Sequence, residues 1–319
     1  MKNIANLVET AYHTIEKYIV NTPLEFSAAL SELTGAEVYL KLESVQTTGS
    51  FKLRGALNKI MTLDKNTLAQ GVVTASTGNH AAAVAHALQT VGGKGTIWMP
   101  KTVSEAKRKS LSFFKGVDVE LFGNDSVEAE LKALESAQKE GRMYISPYND
   151  IDVVAGQGTI GVELLAQLPV LEAVFVPIGG GGLISGIGGY LKEKNEQIEI
   201  VGCQPENSAV MYHSIKAGKV VTEKSLPTLS DGTAGGIEED TITFEFCKKW
   251  VNDYVLVEEE EIKAALKLLI KEHYLLVEGA AALSVASLLQ TKEKWRGKKV
   301  VLILCGRKLP FKTLQEIIL

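Results

Sequence analysis

Cysteine is scarce: the chain has three in 319 residues, Cys203, Cys247 and Cys305. They are widely spaced, with no CxxC pair or Cys/His cluster, so neither a disulfide framework nor a zinc site is written into the sequence. Such usage fits a reducing compartment, and a cytoplasmic protein is expected. Excess charge of one sign is also missing, since 34 Lys+Arg stand against 38 Asp+Glu for a net charge of −4. That excludes a global field able to recruit nucleic acid or an anionic membrane surface. The basic run Lys107-Arg108-Lys109 reads as a solvated helix face. Long hydrophobic runs are absent as well. Glu9, His13, Glu16 and Lys17 interrupt the first apolar positions, so no signal peptide is expected. No uncharged stretch approaches the roughly 18 apolar residues that span a bilayer.

What is present is ordinary globular material, 45% hydrophobic and 23% charged, enough for one large or two moderate domains. Short β-branched runs end in Gly, Pro or Ser and lead into helical patterns. Val38–Leu42, Val72–Ala75, Thr96–Met99, Val117–Leu121, Ala173–Pro177, Ile198–Gly202 and Val300–Leu304 are such runs, and a long charged helix is predicted around 126–140. Strands alternating with helices call for open, twisted, mostly parallel sheets flanked by helices, an α/β fold. The alternation falls into two clusters on either side of about residue 150, which points to two sheets and a cleft between domains.

Four segments carry chemistry. Lys52 sits in Thr48-Gly49-Ser50-Phe51-Lys52-Leu53-Arg54-Gly55-Ala56, with apolar flanks at the start of a helix. A desolvated amine there has a lowered pKa and can form Schiff bases with carbonyl compounds; a solvated helix-face lysine is the plain alternative. Gly179-Gly180-Gly181-Gly182-Leu183 lies between a strand and an apolar helix. Its free backbone N–H groups and the helix dipole make a phosphate cup, although neither a P-loop nor a dinucleotide fingerprint is complete. Ser76-Thr77-Gly78-Asn79-His80 suits a carboxylate at another strand-to-helix turn, or is only an N-cap. Cys305 ends an apolar strand, where open α/β sheets bind ligands. A nucleophile, a weak partner for a ring nitrogen and a small core residue all remain open for it.

In their order along the chain these segments resemble the pyridoxal-phosphate enzymes of fold type II, in particular the serine/threonine dehydratases and serine racemases. The resemblance spans nearly the whole chain. Pro147-Tyr148-Asn149-Asp150, Ala155 to Thr159, Asp231 to Gly236 and Val277-Glu278-Gly279-Ala280-Ala281 also match family positions. It implies a large cofactor-binding domain from residues 1–64 and 149–319 and a small domain from 65–148. It also implies pyridoxal 5'-phosphate joined to Lys52, stacked by Phe51 and held at its phenolic oxygen by Asn79. Gly179, Gly180, Gly181, Gly182 and Leu183 would take the phosphate, and Cys305 would meet the pyridine nitrogen. Ser76, Thr77 and His80 would bind the carboxylate of an amino-acid substrate. The implied reaction begins when Lys52 removes the Cα proton; β-elimination then turns L-threonine or L-serine into a 2-oxo acid and ammonia. A homodimer is expected on general grounds.

Several positions depart from the family's usual pattern. Gly306-Arg307-Lys308 replaces the common Gly-Gly-Asn or Gly-Gly-Ser, and Gln204 and Val210 stand where racemases carry divalent-ion ligands, so no metal is expected. Thr77 has a hydroxyl where many dehydratases have Ala and racemases have Ser. Serine racemase is therefore the alternative. A dehydratase for another hydroxy amino acid, such as 3-hydroxyaspartate or one derived from hydroxyectoine, is a more remote one, as is a binding protein that lost the chemistry. Glu278 reads either as a residue beside the ring or as a surface helix start, and Glu258 to Glu261 as a solvated helix start. With only a short segment after Cys305, the C-terminal regulatory domain of the biosynthetic, isoleucine-inhibited threonine dehydratases is not expected.

Overall fold

The computed structural model describes residues 3–318. Its strands are, in chain order, β1 (Leu24–Phe26), β2 (Glu37–Lys41), β3 (Val72–Ala75), β4 (Gly95–Met99) and β5 (Val117–Leu121). There follow β6 (Met143–Tyr144), β7 (Ala173–Pro177), β8 (Glu199–Pro205), β9 (Asp253–Val257) and β10 (Lys299–Ile303). A six-stranded sheet has the order β1-β2-β10-β7-β8-β9, parallel except for β1. A four-stranded sheet, β5-β4-β3-β6, is wholly parallel. Helices flank both, giving the expected α/β fold. Because β2 pairs with β10, the N-terminal strands join the large sheet, and a cut of the alternation at residue 150 does not follow the sheets.

The central strands explain their own legibility. Every residue of β7 is buried, as is most of β10, so both read as continuous apolar runs. The three strands the pattern missed are β1, β6 and β9. Two of them have only three and two residues, and the five of β9 alternate on a sheet edge beside an acidic run. That acidic run starts a helix as expected: Glu258 and Glu261 form a reciprocal capping box. The helix Ser126–Glu140 lies where it was predicted, capped by Asp125 and ended by Gly141 at φ 64°. Among the described residues no helix is long and apolar enough to cross a membrane.

The site is set by strand ends. β3 runs into the turn before helix Asn79–Val91, β7 into the glycine run before helix Gly182–Lys194, and β10 leads through Leu304 to Cys305. The segment before helix Lys52–Met61 is stitched to that last end. The Phe51 N–H donates to the Cys305 carbonyl at 3.1 Å and the Arg307 N–H to the Gly49 carbonyl at 3.0 Å.

Candidate active site

Lys52, Phe51, the 76–80 turn, Gly179 to Leu183 and Cys305 all line one cavity of about 940 Å³. Lys52 is half-buried at the first position of its helix, and its Nζ donates to the Pro147 carbonyl at 2.9 Å. Burial lowers its pKa to about 8, against the opposing pull of Cys305 and Glu278. Lys52 therefore lines the cavity and does not sit on an open helix face. Its Nζ also lies 5.2 Å from the centre of the Phe51 ring.

The glycine run is no linker. Gly181 is the N-cap of helix Gly182–Lys194 at φ 84°, a left-handed conformation that glycine adopts without a Cβ penalty. A methyl at Gly180 would run into the Tyr148 ring, and the Gly180 carbonyl accepts from Thr243 Oγ1 at 2.6 Å. The helix has no side-chain cap, so its first N–H groups stay available at the cavity. A phosphate group fits that cradle.

At the other turn, Ser76 Oγ accepts from the Gly78 N–H at 3.2 Å, and Gly78 is the N-cap of helix Asn79–Val91. No side chain caps this helix either, so neither Ser76 nor Thr77 serves as its N-cap. The His80 ring turns away: its Nε2 lies 3.0 Å from the Ile145 carbonyl. Burial, and then Lys52, lower its pKa to about 3 and keep it neutral. The imidazole is committed elsewhere, so only the His80 backbone can serve a carboxylate.

Cys305 is buried, and burial together with Glu278 holds its thiol pKa well above the usual range. A thiol kept neutral is a poor nucleophile, which leaves a weak partner and a small core residue as its readings. Glu278 is 4% exposed, so it is no surface helix start. The Asn79 Nδ2 donates to its two carboxyl oxygens at 3.0 and 2.9 Å. Lys107 also lines the cavity, although its helix, Glu105–Leu111, is solvated as expected.

Beneath the cavity lies a cluster that sequence reading did not find. Arg54 pairs with Glu43 at 2.8 Å and with Glu163 at 2.7 Å, and Lys41 pairs with Glu163 at 2.6 Å, all fully buried. Thr22, Thr159 and Gln167 complete the hydrogen bonds. The only local signal was a Lys-x-Glu at the end of β2.

Fold, phosphate cradle and buried amine together define a class of cofactor enzyme, and the comparisons agree. The chain belongs to the pyridoxal-phosphate dependent enzyme family, whose model matches residues 15–306. It is 42% identical to an L-threonine ammonia-lyase of Thermotoga maritima, over 98% of this chain and 77% of the relative. The processed form of threonine deaminase isoform 2 from Solanum lycopersicum superposes with a TM-score of 0.93 at 34% identity, covering 98% of this chain and 92% of that one. Maize serine racemase superposes at 0.92 and 30% identity, over 98% and 96% of the two chains.

Proposed function

We propose that this chain is an ammonia-lyase that converts L-threonine or L-serine to a 2-oxo acid and ammonia. The observation that carries this reading is the half-buried Lys52 amine, with a pKa of about 8, in one cavity with both uncapped helix N-termini and Cys305. The relatives named threonine ammonia-lyase and threonine deaminase support the choice of substrate. Bound pyridoxal phosphate supplies an electron-accepting ring that makes a substrate Cα–H acidic. In this reading Lys52 anchors the cofactor and, once released, takes the Cα proton as general base. The N–H groups from Gly179 to Leu183 hold the phosphate, Phe51 packs on the ring, and Asn79 and Cys305 meet its phenolic oxygen and its nitrogen. Ser76, Thr77 and the backbone from Gly78 to His80 fix the substrate carboxylate and aim the Cα–H at Lys52. The β-hydroxyl takes up a proton and leaves as water, and the freed enamine tautomerises to an imine that a water molecule hydrolyses to the 2-oxo acid and ammonia.

Residues 1–64 with 149–319 would act as one body and 65–148 as a second, with substrate closing the cleft between them. A cytoplasmic homodimer completes the reading. Serine racemisation is the second reading, favoured by the Thr77 hydroxyl at the turn and by the likeness to maize serine racemase.

The test is a visible absorption titration with the L- and D-forms of serine and threonine, with keto acid and D-serine measured in parallel. A coloured protein that releases keto acid from an L-form is expected. D-serine as the dominant product moves the assignment to the racemase, and a protein that takes up no cofactor refutes both.

A further inference from the structure

One carboxyl group, absent from the roles above, is tied to both ends of the site. Glu278 accepts from Asn79 Nδ2 through both oxygens, and Cys305 Sγ lies 3.9 Å from its Oε1. The Lys308 backbone N–H donates to Oε2 at 3.2 Å. Gly306 packs so closely that any side chain there would strike the carboxyl. Every one of these bonding partners is a neutral group. The Asn79 Oδ1, meanwhile, is buried with no hydrogen-bond donor among the described residues.

A buried carboxylate without a bonded cation takes up a proton more readily than a free one. Burial, and next Asp231, raise the Glu278 pKa. The charged and titratable groups around it are Lys52 on its helix, Asp231 in the loop after residue 227, and Cys305 and Lys308 after β10. Lys107, on the helix Glu105–Leu111, acts on Asp231 and Lys308, and the Asn79 helix adds only the neutral His80. A protonated Glu278 has an O–H to give. Half a turn about the Asn79 Cβ–Cγ bond places Oδ1 where it can accept that hydrogen, which satisfies the orphan acceptor.

We propose that Glu278 is a positioning residue that works protonated, donating to Asn79 Oδ1 so that both Nδ2 hydrogens turn toward the cavity. This rests on the reading above, in which Asn79 meets the phenolic oxygen. An ionised oxygen only accepts hydrogen bonds, so the amide must offer it N–H. Ionising Glu278 at high pH would draw the Nδ2 hydrogens back to the carboxylate and off the site.

Infrared difference spectra between wild type and Glu278→Gln test this across pH, in both the cofactor-loaded and cofactor-free proteins. The expected result is a protonated-carboxyl stretch in wild type at neutral pH, well above the ~4.3 of a free glutamate, and its absence from the variant. Loss of that band near the free-glutamate value overturns the proposal. The cofactor-free arm keeps the test valid if the cofactor reading itself fails. Cofactor affinity supplies a second measurement. Gln is neutral and donates from its amide, so Glu278→Gln should bind within about threefold of wild type, and Glu278→Ala about tenfold more weakly. A Gln variant as weak as the Ala variant also overturns it. Should Glu278→Gln not fold, Glu278→Asp, which shifts the band, takes its place.

Discussion

Two buried charge systems lie two residues apart on one helix and follow opposite rules. Around Arg54 every charge meets its opposite: two cations and two carboxylates, all at 0% exposure, bonded at 2.6 to 2.8 Å. Around Lys52 the matching is left incomplete. Among the described residues the amine has only the Pro147 carbonyl, the Glu278 carboxyl has only neutral partners, and Asn79 Oδ1 has none. Both regions bury charge, so burial does not distinguish them. What does is unmet bonding capacity facing a cavity, which a bound group can satisfy.

The sharpest way to break the comparison is to remove one cation from each side. Lys52→Ala should cost about ten-thousandfold in keto-acid formation, at the upper end for a lost general base, while the melting temperature stays within a few degrees. Arg54→Met should do the reverse. Leaving Glu43 without a cation, and Glu163 with Lys41 alone, costs about 3–5 kcal/mol, read by urea unfolding, with turnover per folded molecule little changed. If Arg54→Met lost activity without losing stability, the two systems would be one.

Smaller changes sharpen the picture of the cavity. Gly180→Ala forces a methyl against the Tyr148 ring, and overpacking of this kind costs about 1–3 kcal/mol. It should appear as weaker cofactor binding in a fluorescence titration. The last test is the pH dependence. Only the neutral amine attacks an aldehyde, and Lys52 loses its proton near pH 8. Cofactor attachment to the cofactor-free protein should therefore climb about tenfold per pH unit below 8 and level off above it. An inflection near the ordinary lysine value of about 10.4 would show that the cleft leaves this amine hydrated.

Much of the site could be read without the fold because its signals are local. The glycine run, the 76–80 turn and the apolar flanks of Lys52 each declare a strand-to-helix or turn-to-helix junction within a few residues. His80 shows where that reading fails. Its place in the turn was legible, but its ring is claimed by Ile145, 65 residues away. The Arg54 cluster was invisible for the same reason, since its partners come from a strand end, a short 3₁₀ turn and the helix Ile151–Gln167. Glu278 was equally open to two fates from its sequence alone. Asn79, 199 residues distant, together with Cys305, makes it a buried member of the site.

By itself the sequence determined the α/β alternation, the glycine geometry at Gly181 and the residues proposed to hold a phosphorylated pyridine aldehyde. Backbone torsions, strand period and helix starts depend on near neighbours, so a linear pattern records them. Whether Lys52 is a reactive amine or a solvated one was decided only by tertiary structure. Desolvation depends on what surrounds a group, and Lys52 bonds the Pro147 carbonyl in a cavity that Glu278 and Cys305 also line. They reach it from other strand and helix ends, and only the packing of the sheets brings them together.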